Sequence, residues 1–301
     1  TALVGVIGAG WGLAARTFMA GPELCRGSDA ELAEVWNEAR GEAVRTAVMA
    51  GGGANAGDTW SRVKAGLDAY AGEWTAMRQE ACETHAAGRQ SDELFDRRMA
   101  CLDGRREHLD ELVGILAGAD AGVVDNAATA VAMLPAISRC DDSEALLASL
   151  PPADDPQLEQ TVARDRSVLA RAQAHEDVGQ YAESLALVNP VLAGEAAAGY
   201  RPLLAEALLQ RGSAHMWAGD GEAAHRYFEQ ALYAALATGH APVAARAASR
   251  DLFVRGELQR QADQALADKP PAEALVEHTG DPLIRGEFLN NPGVLAVAAG
   301  I

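Results

Sequence analysis

Apolar positions in this chain recur at steps of three and four, the interval that gathers side chains on one face of an α-helix. Ser28-Asp29-Ala30-Glu31 reads as a capping box that opens a helix whose face carries Leu32, Val35, Trp36, Ala39 and Ala43. The glycine-rich run from Gly51 to Gly57 ends that helix, because glycine loses the most freedom when held helical. Trp60, Val63, Leu67, Tyr70, Trp74 and Met77 then form a seam of the kind that packs a helix along its neighbours. A break near Gly88 and a cap at Ser91 introduce a stretch carrying Leu102, Leu109, Leu112, Val113 and Leu116. After a turn over Gly118 to Gly122 comes a further stripe of Val124, Ala127, Ala128, Val131 and Leu134. Asp141 with Glu144 repeats the capping pattern ahead of a short last element. Four antiparallel helices joined by short turns, with the short fifth element, make a four- to five-helix bundle over residues 22–150 the expected first unit.

Prolines at 151, 152 and 156 mark a linker over residues 151–156, since proline removes a backbone donor and holds the chain extended. Beyond it the pattern repeats. Gly179, Gly219 and Gly300 each follow a small residue by seven positions, namely Ala172, Gly212 and Gly293. Gly219, Ala224, Phe228 and Ala231 fit the turn glycine, small contacts and aromatic filler of a tetratricopeptide helix-turn-helix. Gly179, Tyr181, Ser184, Val188 and Val191 fit the same places less closely. The expected architecture is therefore all-α: an antiparallel bundle, then a right-handed solenoid of tetratricopeptide-like repeats over residues 157–301.

Composition narrows the function. The 301 residues hold 25 Lys plus Arg against 43 Asp plus Glu, a net charge of −18, so nucleic acid is not an expected partner. Residues Ala2 to Ala15 are uncharged and mostly apolar, and Arg16 closes them. They read as the surviving end of a membrane-spanning helix over residues 1–18, with a signal peptide as the rival reading, and the chain as a fragment. The small residues of that helix would also allow pairing with a second copy. Gly8, Gly10 and Gly12 imitate a dinucleotide fingerprint, but Leu13 stands where the third glycine belongs, leaving an oxidoreductase as a remote alternative.

Cys25 and Cys82 are equidistant from the glycine-rich turn, and Cys101 and Cys140 from the turn at Gly118 to Gly122, so folding each hairpin brings each pair level. Cys82 and Cys101 also flank a turn evenly, which leaves the pairing open among disulfides, free thiols and a four-thiolate metal site. No C-x2-C knuckle supports zinc, and no metal, cofactor or catalytic residue is expected. His175 and His215, one repeat apart, read as packing or edge residues. Asp141-Asp142 and Asp154-Asp155 read as a cap and a linker. The inner face of the repeats is the expected peptide groove, with Gln173, Asp177, Gln210, Ser213 and Trp217 as candidates.

A set of residues between Cys25 and about Leu147 carries a more specific likeness: Val35-Trp36, Leu67-Asp68, Tyr70, Trp74, Met77, Glu80-Ala81-Cys82, Gln90-Ser91, Leu94, Arg98-Met99, Cys101-Leu102, Leu134-Pro135 and Cys140-Asp141. This segment resembles the part that follows the membrane helix in large bacterial transmembrane Ser/Thr protein kinases of the type abundant in myxobacteria. The resemblance implies a kinase domain upstream in the cytoplasm, helical repeats at the C-terminal end, and an inner-membrane-anchored, extracytoplasmic location for the residues here. No glycine-rich ATP loop, H-R-D loop or D-F-G site is present, so these residues do not themselves phosphorylate. The expected role is sensing or docking a protein or peptide, and a stand-alone repeat scaffold or adaptor is the alternative.

Overall fold

The structure, a computed structural model, describes residues 25–147, 150 and 153–291. The apolar run at Ala2 to Ala15, the glycines at 8, 10 and 12, the prolines at 151 and 152, and the repeat positions Gly293 and Gly300 lie outside the described residues. Among the described residues the fold is all-helical, with no strand.

The first part comprises α1 (Ser28–Ala33), α2 (Glu38–Gly51), α3 (Ala56–Ala86), α4 (Asp92–Ala117), α5 (Ala121–Ala132), a 3-10 turn (Ile137–Asp141) and α6 (Ser143–Leu147). The seam residues Val63, Leu67, Tyr70 and Trp74 of α3 are buried against Leu102, Leu109, Leu112 and Leu116 of α4, while Trp60 and Met77 sit at the margin. Trp74, fully buried, donates its indole N–H to the Leu102 carbonyl at 2.7 Å, so its one polar atom is satisfied inside the core. The apolar stretch Ala121–Asp141 has the length and hydropathy of a membrane span, yet Val123, Val124, Ala127, Ala130 and Val131 on it belong to this core.

Three local expectations are corrected. Ser28 lies inside α1 and caps nothing; the N-cap position is Gly27. The helix also breaks after one and a half turns, because Asn37 captures the backbone on both sides. Its Oδ1 accepts from Arg40 N at 3.0 Å and its Nδ2 donates to the Ala33 carbonyl at 2.7 Å. The restart rotates the face, so Val44 and Val48 enter the core and Ala39 and Ala43 stay exposed. Likewise Asp142, rather than Asp141, caps α6 by accepting from Ala145 N at 3.0 Å. Ser91 does cap α4, accepting from Leu94 N at 3.2 Å.

The second part is a run of helix hairpins: α7 (Pro156–Asp177) with α8 (Tyr181–Ala193); a single-turn α9 (Glu195–Gly199); α10 (Arg201–Trp217) with α11 (Gly221–Thr238); α12 (Ala241–Phe253), ending in a π-turn at Val254–Leu258, with α13 (Ala262–Thr279); then α14 (Pro282–Asn290). Asp155 caps α7, accepting from the amides of Gln157 and Leu158. The turns at Gly179 (φ 85°) and Gly219 (φ 81°) are left-handed, as their glycines suggest. The third hairpin turn is at Arg260 (φ 57°), about one period after Gly219, where no glycine advertises it. At all three turns the residue that follows donates back to a helix carbonyl: Gln180 to His175, Asp220 to His215 and Gln261 to Arg255. Between α10 and α11 the small-to-large logic is direct, since a Cβ on Gly212 would come within 2.6 Å of the Phe228 ring. Gly212 is thus what lets the two helices approach.

The two parts meet along α4 and α7. Ala174 and Val178 join the first core. On the polar side, Arg171 donates to Glu111 at 2.8 Å and His175 lies 3.1 Å from the same carboxylate. At the other edge Arg139 bridges Asp142 and Asp281.

Candidate functional site

The four cysteines form two bonds, Cys25–Cys82 and Cys101–Cys140, with Cα separations of 5.6 and 5.5 Å. Each staples one hairpin. Between them sits Arg98, 3% exposed, which reaches Glu80, the Asp141 carboxylate at 2.8 Å, the Gln90 side chain at 3.1 Å and the Cys140 carbonyl at 3.2 Å. A buried guanidinium is tolerable only with such a set of acceptors. Glu80, Gln90, Arg98, Cys140 and Asp141, which stand far apart in the chain, therefore form one structural knot.

A second polar cluster lies where α7, α10 and α12 pack side by side. Its centre is Glu176, a residue that sequence reasoning passed over. Glu176 is 6% exposed, and Gln210 donates to its Oε2 at 2.7 Å. Burial pushes its carboxyl up to about 8, and the adjacent Asp177 adds to the rise, while Arg250 and hydrogen bonds from Trp217 and Gln173 oppose it. The carboxyl thus keeps its proton further up the pH scale than an exposed glutamate does.

Of the groove candidates, Gln210 donates to this carboxyl, and Gln173 and Trp217 lie close enough to it to lower its pKa. Ser213, fully buried, joins through Arg250, which donates to its hydroxyl. Asp177 faces the bundle instead: its Oδ1 accepts from Gln173 at 2.7 Å and its Oδ2 lies 3.4 Å from His108 Nε2 of α4, with neither of the latter two atoms making a hydrogen bond. Trp217 is 54% exposed, at the end of α10, with its ring tilted against Phe253 at 6.4 Å. Arg250 and Phe253 were also missed. The signal for them was the repeat itself, for each lies one 40-residue step beyond a candidate, Gln210 and Ser213 respectively.

A cleft of about 640 Å³ opens where Arg139, Asp142 and Glu144 of the first part face the turns at Gly239 and Gly280, which join successive hairpins. Its charged groups satisfy one another. Arg166 grips Glu206 with two bonds of 2.9 Å and His240 lies 3.3 Å from the same acid. Burial alone would raise the Glu206 pKa, but His240 and Arg166 outweigh it and hold the carboxyl below its ordinary range. Two buried glutamates on one array are thus shifted in opposite directions: Arg166 and His240 hydrogen-bond Glu206, whereas Arg250 acts on Glu176 through charge alone and Asp177 opposes it.

His175 and His215 are not neighbours in a shared site; the first bonds Gln180 at 2.7 Å and the second lies 3.3 Å from Asp220. Among the described residues no group of three His, Cys, Asp or Glu side chains is placed to hold a metal. The fold and site define a disulfide-bonded, all-helical protein with a buried acid network beside an exposed tryptophan. No protein family, curated protein or solved structure matches this chain.

Proposed function

We propose that this chain is the non-catalytic, extracytoplasmic sensor and protein-docking region of a bacterial transmembrane Ser/Thr kinase, and that residues 157–301 form a tetratricopeptide-like solenoid which supplies the docking face. Two disulfides suit an oxidising compartment. Hairpin turns at 179, 219 and 260, with Ala224, Phe228 and Ala231 buried between helices, suit a stacked repeat. The observation that carries the docking reading is Trp217. A half-exposed indole that is tilted against the Phe253 ring and stands beside the buried Glu176 cluster is an aromatic anchor open to a partner.

The test is a photo-crosslinking phenylalanine analogue placed at position 217, and separately at the exposed Tyr233, in the full protein in its own membrane. A discrete partner crosslinked from 217 and absent from 233 supports docking at this face. Identical or empty patterns at both positions overturn it. The kinase part is tested by the coding sequence upstream of Thr1, which should encode the ATP loop and the H-R-D and D-F-G sites; a start codon immediately before Thr1 removes it.

A further inference from the structure

In the bundle, α2 and α3 bound an open groove of about 1030 Å³ with two tryptophans in its lining. Trp36 is fixed in place. Its Nε1 donates to Asp68 Oδ1 at 2.8 Å and its ring edge lies against the bare Cα of Gly41, where an added Cβ would be 3.5 Å away. Trp60 lies eight residues before Asp68 on α3, about 12 Å along the helix axis, so the two indoles, each partly buried against the core, stand at separate points of the groove.

The floor between them is polar but self-compensated. Arg45 holds Glu42 by two bonds of 2.7 and 2.6 Å, and Lys64 pairs with Asp68. In a chain of net charge −18, this is a nearly neutral patch of flat rings and ordered hydrogen-bonding groups. An anion would meet the repulsion of the whole protein, and a cation would find chiefly Glu38, since the other acids already hold cations. An extended peptide needs partners for its amides, and the one amide side chain in the lining, Asn37, already bonds its own backbone through both Nδ2 and Oδ1.

We propose that this groove binds a neutral oligosaccharide, whose C–H ring faces stack on Trp36 and Trp60 and whose hydroxyls bridge the Glu42–Arg45 and Lys64–Asp68 pairs. The separation of the indoles sets the length: a single sugar covers one indole, and a short chain covers both. This site is independent of the docking face.

The experiment uses the full chain on an array of neutral glycans with a counter-set of charged ones, followed by titration of each hit by calorimetry and tryptophan fluorescence. A short neutral oligosaccharide should bind saturably, and the matching monosaccharide should bind about tenfold more weakly. Trp60→Ala should weaken the oligosaccharide about tenfold, Trp60→Tyr should keep most of the affinity, and Tyr233→Ala should leave it unchanged. Trp60→Tyr retains a ring and so keeps the test decisive if Trp60→Ala unfolds. Absence of any saturable neutral glycan, binding of the charged set alone, competition by an oligolysine peptide, or unchanged affinity in Trp60→Ala would each overturn the proposal.

Discussion

The bundle and the hairpin array solve the same packing problem with different means. In the bundle, residues 57 and 39 positions apart are joined covalently, and Arg98 gathers acceptors from three separate segments. In the array there are no cysteines, and each helix leans chiefly on its neighbours in the chain, with Gly212 of α10 against Phe228 of α11 as the tightest example. Order built from distant contacts must overcome a large loop-closure entropy, which a cross-link removes from the unfolded chain. Order built from near neighbours meets little of that entropy, so close helix packing suffices.

Reducing both bonds should separate the two regions most sharply. Each closed loop contributes about 4 kcal/mol in the chain-entropy picture. Hydrogen exchange after reduction should therefore show protection lost across α2 to α5 and kept in α10 to α13; equal loss in both would show that the array depends on the bundle. The converse cut is Phe228→Ala, which empties the space above Gly212 and should destabilise the array by about 4 kcal/mol while leaving bundle protection in place.

Glu176 gives a prediction in pH. Its folded carboxyl holds its proton to about 8, while the unfolded chain releases it near the ordinary value of 4.5. The unfolded state therefore binds fewer protons across that window, and stability falls as pH rises from about 4.5 to about 8, by a few kcal/mol at most. Glu176→Gln should flatten that decline in melting temperature and change little below it; an unchanged pH slope would show that the acid is not buried as described. The smallest expected effect is at the third turn. Arg260 holds a left-handed backbone that only glycine adopts freely, so Arg260→Gly should stabilise the array by about 0.5–1 kcal/mol in denaturant melts.

These regions also differ in how far they can be read without coordinates. The α3 seam, the Ser91 cap and the cysteine layers all follow from local spacing, because helical periodicity and capping act over a few residues. Asn37 was as local, but its side chain chose the backbone over the helix, an outcome that depends on the restarted helix finding Val44 and Val48 a place in the core. The groove candidates were placed on the array by register, yet the residue that unites them, Glu176, carries no mark in the sequence that separates it from an exposed glutamate.

What the amino-acid order determined by itself is the helical class, the breaks at glycine, the acidic character and the levels at which the cysteines meet, since each depends on intrinsic preference or on simple distance along the chain. Tertiary structure alone decided which charges are desolvated and what faces them. The Glu176 pKa is raised and that of Glu206 lowered, Arg98 finds its acceptors, and Arg260 takes a glycine's conformation, because desolvation and pairing are set by residues that meet only once the chain is folded.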